Sequence, residues 1–305
     1  MKNQFDLMNI LVGQQTDEDY CKKPVIVQGM TGSFGSVHTR LMRSYGTNIV
    51  AGVTPGKGGE KFDGIPIYNE MSEAVEKTGT TISVMFVPAP HFLNAATEAL
   101  NNKIRLLVAI PEQVPILDSL KIVEYARVKN ARVIGPNTPG IIVPEVIKLG
   151  IMPAPPFKRG SVVLLSRSGT LMYELAHNLS KANHGQKFCL GIGGDPITGT
   201  NLIECFDMIS GINDVEGVVV VGEIGGDAEE QLAEYIIKTS FPKPVIGYIA
   251  GRSAPKEKRM GHAGAIVYGD YGSAVSKLAS FFKADVPVAK IPAEVPILLS
   301  QKLKR

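Results

Sequence analysis

The chain has 305 residues, 44% hydrophobic and 20% charged, with 32 Lys and Arg against 29 Asp and Glu for a net charge of +3. That length suits two domains, and so small a charge excess gives no basic field for nucleic acid or an anionic membrane surface. An odd, widely spaced set of cysteines (Cys21, Cys189, Cys205), no Trp and scattered Tyr and Phe exclude a disulfide framework, a zinc site and base-stacking platforms, and point to a reducing, intracellular, soluble protein.

Residues 1–23 contain a six-residue mixed run, Leu7 to Val12, followed by acidic residues. This is too short for a signal-peptide core or a membrane span and lacks the Arg/Ser-rich pattern of a transit peptide, so it reads as a variable extension. Beyond it, short β-branched runs bounded by Gly and Pro predict strands at Val25–Gln28, Asn48–Val53, Ile82–Val87, Leu106–Ile110 and Arg132–Ile134. A second series follows at Ser161–Leu165, Phe188–Ile192, Gly217–Val221 and Pro244–Ile249. Unbroken apolar runs of this kind suit strands buried on both faces of a parallel sheet. Helical spacing lies between them, at Phe92, Ala95, Ala96, Ala99 and Leu100, at Leu120, Val123 and Ala126, at Leu171, Leu175 and Leu179, and at Leu232 and Ile236. Strand–helix alternation means an α/β fold with right-handed crossovers. The Pro- and Gly-dense stretch from Asn137 to Pro156 reads as the boundary, giving domains 1–145 and 146–305, each an open parallel sheet with ligands expected at the carboxyl ends of the strands.

Gln28-Gly29-Met30-Thr31-Gly32-Ser33-Phe34-Gly35 follows the first strand and opens a helix. Its glycines admit a phosphate to the backbone, and a helix start offers free N–H groups and a positive dipole. The spacing is G-x-x-G-x-x-G rather than the dinucleotide fingerprint, and a tight turn with no ligand shares the same pattern. After the second strand an NAD site would place an acid on the ribose. This chain places Lys57 in Val53-Thr54-Pro55-Gly56-Lys57-Gly58-Gly59, a cation suited to the phosphorylated ribose of NADP or coenzyme A.

In the second half, Lys258-Arg259-Met260-Gly261-His262-Ala263-Gly264-Ala265-Ile266 leaves one imidazole flanked by small residues. His38, His91, His177 and His184 lie in or near helical stretches and read as packed or surface residues. Ser168, Gly169 and Thr170 join a strand to a helix and supply N–H donors for an anion. Glu223 ends an apolar strand, where a carboxylate could hold one imidazole nitrogen and leave the other nucleophilic. Gly193-Gly194-Asp195-Pro196 ends another strand in a tight turn. The sequence leaves open whether these converge.

The motifs QGMTGSFG, GVTPGKGG, VPAP, SRSGT, GIGGDP, GEIGG, YIAG and KRMGHAGAI together resemble the succinate–CoA ligase alpha subunit family, in order and separation, from residue 24 to about residue 285. The resemblance implies a Rossmann-like coenzyme A-binding domain followed by a flavodoxin-like domain carrying a phosphohistidine. By the same resemblance Thr31, Gly32, Ser33, Phe34 and Lys57 hold coenzyme A phosphates and ribose, and Ile110, Pro111 and Glu112 line its adenine and pantetheine path. His262 is then the phosphorylated histidine, Glu223 its orienting carboxylate, and Ser168, Gly169 and Thr170 the phosphoryl site. Tyr173 resembles a residue at the acid-substrate site. No metal ligand is expected on this chain. ATP or GTP with Mg²⁺ belongs to a beta subunit with an ATP-grasp domain, in a heterodimer or heterotetramer, and the setting is the cytoplasm, or an organelle matrix had a transit peptide been removed.

Three departures from the family pattern follow, of which the first and third bear on the acid. Asn137-Thr138-Pro139-Gly140 stands where the family reads N-C-P-G, Ile110-Pro111-Glu112-Gln113-Val114-Pro115 where it reads I-T-E-G-I-P, and Ile151-Met152-Pro153-Ala154-Pro155-Pro156 where it reads I-M-P-G-H-I. Small subunits of citryl-CoA synthetase and malate–CoA ligase share the framework, with succinate the leading reading. An NADP-linked oxidoreductase or a non-catalytic coenzyme A-binding regulator remains the alternative from another class.

Overall fold

The computed structural model describes residues 7–12, 23–252, 261–262, 264–267 and 272–304. Its chain divides into two compact units, one formed by residues 5–152 with 197–199, the other by 1–4, 153–196 and 200–305.

The first unit begins with helix α1 (Leu7–Val12), whose Leu7 and Leu11 are buried, so part of the expected extension contributes to the core. Strand β1 (Val25–Gln28) leads into α2 (Ser33–Ser44), then β2 (Ile49–Val53) and a hairpin of β3 (Lys61–Phe62) and β4 (Ile65–Tyr68). There follow α3 (Met71–Thr78), β5 (Ile82–Met85), α4 (Phe92–Asn101), β6 (Leu106–Ala109), α5 (Ile116–Val128) and β7 (Arg132–Ile134). The sheet order is β3-β4-β2-β1-β5-β6-β7, parallel except for β3. Counted along the parallel strands alone this is the doubly wound order 3-2-1-4-5-6, whose ligand crevice opens where the order reverses, between β1 and β5. β1, β5 and β6 are buried throughout because helices cover both sheet faces. Ile26, Met85, Phe92, Ala96, Leu107 and Ile122 belong to one core cluster.

The stretch 137–156, read from the sequence as the boundary, has strands of its own. It contains the antiparallel pair β8 (Gly140–Val143) and β9 (Ile147–Gly150), which belongs to the first unit. The Thr47 hydroxyl donates to Lys148 O at 2.7 Å and accepts from the Lys148 N–H at 3.2 Å. The expected division at 145/146 falls in the turn of this hairpin, whereas the compact units divide after Met152.

The second unit runs β10 (Arg159–Ser166), α6 (Gly169–Lys181), β11 (Gln186–Gly191), α7 (Leu202–Ser210), β12 (Gly217–Glu223) and α8 (Ala228–Thr239). It ends with β13 (Val245–Ala250), α9 (Ala274–Lys283), β14 (Val288–Ala289) and α10 (Val295–Leu303). Its five strands are parallel in the order β14-β13-β12-β10-β11, the flavodoxin-like arrangement with its switch point between β10 and β12. All seven residues of β12 are buried. Among the described residues no helix is long and apolar enough to cross a membrane.

Candidate functional site

In the first unit a cleft of about 740 Å³ opens at the β1/β5 switch point, lined by Gln28, Thr31, Gly32, Ser33, Phe34, Thr54 and the Phe86–Pro88 segment, among others. Its floor follows from local sequence. Gly32 caps α2 without a side chain, so the first-turn N–H groups point into open space with the helix dipole behind them. The Thr31 hydroxyl donates to Thr54 Oγ1 at 3.4 Å, linking the two turns. Phe34 is 51% exposed, a ring left for an apolar or planar partner. A glycine-lined turn, a helix start and an exposed ring fit a phosphorylated nucleotide such as coenzyme A.

Lys57 lies exposed on the loop after β2, and that loop is clamped by a residue the sequence reading missed. The Asn69 side-chain oxygen accepts from the N–H groups of Gly56 and Gly58, both at 2.9 Å. Ile110, Pro111 and Glu112 follow β6. None of these three, nor Lys57, is among the described residues lining the cleft.

In the second unit His262 and Glu223 come together. Nδ1 of His262 lies 2.9 and 3.1 Å from the two carboxylate oxygens of Glu223. A carboxylate only accepts, so Nδ1 carries the proton and Nε2 is the nitrogen left with a lone pair when the ring is neutral. The Glu223 hydrogen bond raises the imidazole pKa above its ordinary 6.5, against burial and the Arg167 charge, which lower it; the charges of Glu223 and Asp195 add to the rise. Gly194 backs the ring: a side chain there would place its first carbon 2.5 Å from Cγ and Cδ2 of His262. Lys258, Arg259, Met260 and Ala263 of the same motif lie outside the described residues.

Ser168 caps α6, and its side chain accepts from the Leu171 N–H. Helix geometry leaves the N–H groups of Gly169 and Thr170 for an anion. Arg167, one residue earlier, reaches the histidine pair directly, with Nη2 3.5 Å from Glu223 Oε1. The sequence reading gave it no role, although it stands inside the quoted SRSGT motif. Tyr173 packs edge-on against Phe157 at 6.2 Å, and burial pushes its hydroxyl up to about 12, so it stays a neutral hydrogen-bonding group.

Comparison with known proteins gives this geometry a family. Residues 21–113 match the CoA binding domain family and residues 165–280 the CoA-ligase family. The chain is 45% identical over 280 residues, 92% of each chain, to the succinate–CoA ligase [ADP-forming] subunit alpha of Staphylococcus aureus strain Mu50. It is 44% identical over 281 residues to the protein of that name from Staphylococcus epidermidis ATCC 12228, covering 92% of this chain and 93% of that one. Among solved structures, an ATP citrate lyase variant of Methanosaeta concilii in complex with (3S)-citryl-CoA superposes with a TM-score of 0.83 at 21% identity, over 92% of this chain and 49% of that one. A dinucleotide-forming acetyl-coenzyme A synthetase 1 of Ca. Korarchaeum cryptofilum gives 0.73 at 19% identity, over 95% and 61%. The chain thus spans about half to three-fifths of these longer proteins, and the likeness shows the shared fold. With both domain families matched and 45% identity along almost the whole length, the chain belongs to the succinate–CoA ligase alpha subunit family.

Proposed function

We propose that this chain is the phosphoryl-accepting and coenzyme A-binding half of an ADP-forming acid–CoA ligase that acts on succinate. The observation that carries the reading is the His262–Glu223 pair, with Nδ1 held at 2.9 Å and Nε2 left for attack.

In the proposed cycle Nε2 attacks the terminal phosphorus of a nucleoside triphosphate. A P–N bond forms as the bridging P–O bond breaks and the nucleoside diphosphate leaves, while Nδ1 keeps its proton, donated in a hydrogen bond to the Glu223 carboxylate, whose charge balances the positive ring. Gly169 and Thr170 N–H groups hold the phosphoryl oxygens. The phosphoryl group then passes to a carboxylate oxygen of succinate, breaking P–N and giving a mixed anhydride. The coenzyme A thiolate, the nucleotide end of that molecule seated at Thr31–Phe34 with Lys57 near the ribose phosphate, attacks the acyl carbon, and a C–S bond forms as the C–O bond to phosphate breaks and phosphate leaves. Tyr173 contributes to the acid site.

The nucleotide, with its Mg²⁺, is assigned to a beta subunit bearing an ATP-grasp domain, in a heterodimer or heterotetramer in the cytoplasm. In support, this sequence contains no G-x-x-x-x-G-K-[ST] loop, and its relatives are named alpha subunits. The test is co-expression with the beta partner, incubation with labelled ATP and Mg²⁺, and assay of ligation across succinate, malate and citrate. Acid-labile label on the peptide containing His262, absent in His262→Asn, with preference for succinate, is expected. An unlabelled His262 peptide sinks the mechanism, and preference for citrate or malate reassigns the substrate.

A further inference from the structure

Behind Glu223 lies a chain of buried charges that the proposed reaction does not itself use. Lys277 on α9 and Glu229 at the start of α8 have fully buried side chains. The Lys277 ammonium donates to Glu229 Oε2 at 2.5 Å, Glu230 Oε2 at 2.9 Å and Gly226 O at 2.9 Å, which matches its three donors. Glu229 Oε1 accepts from the Glu223 backbone N–H at 3.2 Å and from Arg167 Nη1 at 3.2 Å. The same Arg167 nitrogen reaches Gly225 O at 3.0 Å, and Gly225 N–H donates to Gly272 O at 2.8 Å. Room for Glu229 is made by Gly222, where a side-chain carbon would stand 2.6 Å from Glu229 Cγ.

Buried Lys277 and partly buried Arg167 therefore hold successive carbonyls of the Gly225–Gly226 turn, and one carboxylate holds the backbone of Glu223. A fold needing only stability has little reason to bury such a group of charges, since apolar residues of equal volume often serve as well or better. We propose that Glu229 and Lys277 are positioning residues of the His262–Glu223 pair. They fix the turn that presents Glu223 and set how Arg167 is shared between Glu223 and Glu229. The inference rests on the reading of His262 as phosphoryl acceptor.

Among the described residues, the charged groups facing His262 are Glu223 from β12, Arg167 from the β10–α6 turn and Asp195 after β11. Removing the Glu229 charge releases Arg167 to Glu223, weakens the carboxylate's hold on the imidazole and lowers its titration midpoint. Removing the Lys277 charge leaves Glu229 to draw Arg167 away from Glu223, and the midpoint rises. Mere loosening of the turn moves both variants toward the ordinary imidazole value.

The test measures the pH dependence of diethylpyrocarbonate modification of the His262 peptide by mass spectrometry in the full chain. Glu229→Gln is expected to lower the midpoint and Lys277→Met to raise it, each by about half a unit, with the double variant near wild type. Lys277→Gln serves the second arm if Lys277→Met does not fold. Midpoints that do not move, or that move in the same direction, overturn the proposal. In the complex with its beta partner, either single variant should slow phosphorylation about tenfold without changing the Kd for coenzyme A; an unchanged rate overturns it too. Absence of phosphate on the wild-type complex would instead condemn the functional reading, leaving the titrations to judge the network.

Discussion

At the scale of single residues, two contacts of His262 decide what it can do. Glu223 fixes the tautomer and Gly194 leaves room for the ring. Glu223→Gln should cut the rate of phosphohistidine formation by roughly 10²-fold, because an amide can no longer balance the ring's charge; rapid-quench measurement in the complex checks this. Stability should respond with a definite sign. The folded imidazole pKa lies above 6.5, so the pair's contribution is fully present below the unfolded value and is lost as pH rises through the folded one. The Tm gap between wild type and His262→Asn should narrow over that interval in thermal melts. Lys57 makes a separate prediction. Lys57→Ala should weaken coenzyme A about fivefold in calorimetry but leave 3′-dephospho-coenzyme A unchanged, since one exposed cation on one phosphate contributes about 1 kcal/mol.

At the scale of elements, the strands that carry the sites were legible and the small connecting pieces were not. β1 and β7 fall on their predicted ranges, and the other seven predicted strands differ by one or two residues at one or both ends. Strands buried on both faces cannot hide their apolar runs. The β3–β4 hairpin went unread because β3 has two residues and Pro66 interrupts the apolar run of β4, although Asp63-Gly64, with φ of 49° and 85°, is a hairpin turn pair. β8 and β9 were masked by the Pro and Gly around them. Lys277 was invisible for another reason: it occupies a core position of α9, four residues before buried Phe281, where periodicity leads one to expect an apolar side chain. A lysine in an apolar register is itself the signal, and only the carboxylates of α8 explain it.

For the whole molecule, the two sheets share one logic under different strand orders: each places its candidate site where the order reverses. The His262–Glu223 contact joins residues 39 apart in sequence, which is why the convergence could not be read from spacing alone. Two units with two sites predict separable behaviour. The isolated chain should bind coenzyme A, raising its Tm by mass action, yet take up no phosphate from ATP until the beta partner is added. Differential scanning calorimetry and label incorporation on the same sample check both halves; phosphorylation of the isolated chain would count against a nucleotide site on the partner.

The two-residue β3 has a consequence for self-association. It is the only antiparallel strand among the described strands of its sheet, it closes the side next to β4, and it carries exposed Lys61. An open parallel sheet with apolar inner strands is a template onto which another copy could add its own backbone. A border two residues long, turned against the sheet direction and marked by a charge, offers almost no ladder to extend. The least conspicuous strand in the unit thus blunts the edge of the sheet that it closes, while β7 forms the opposite edge.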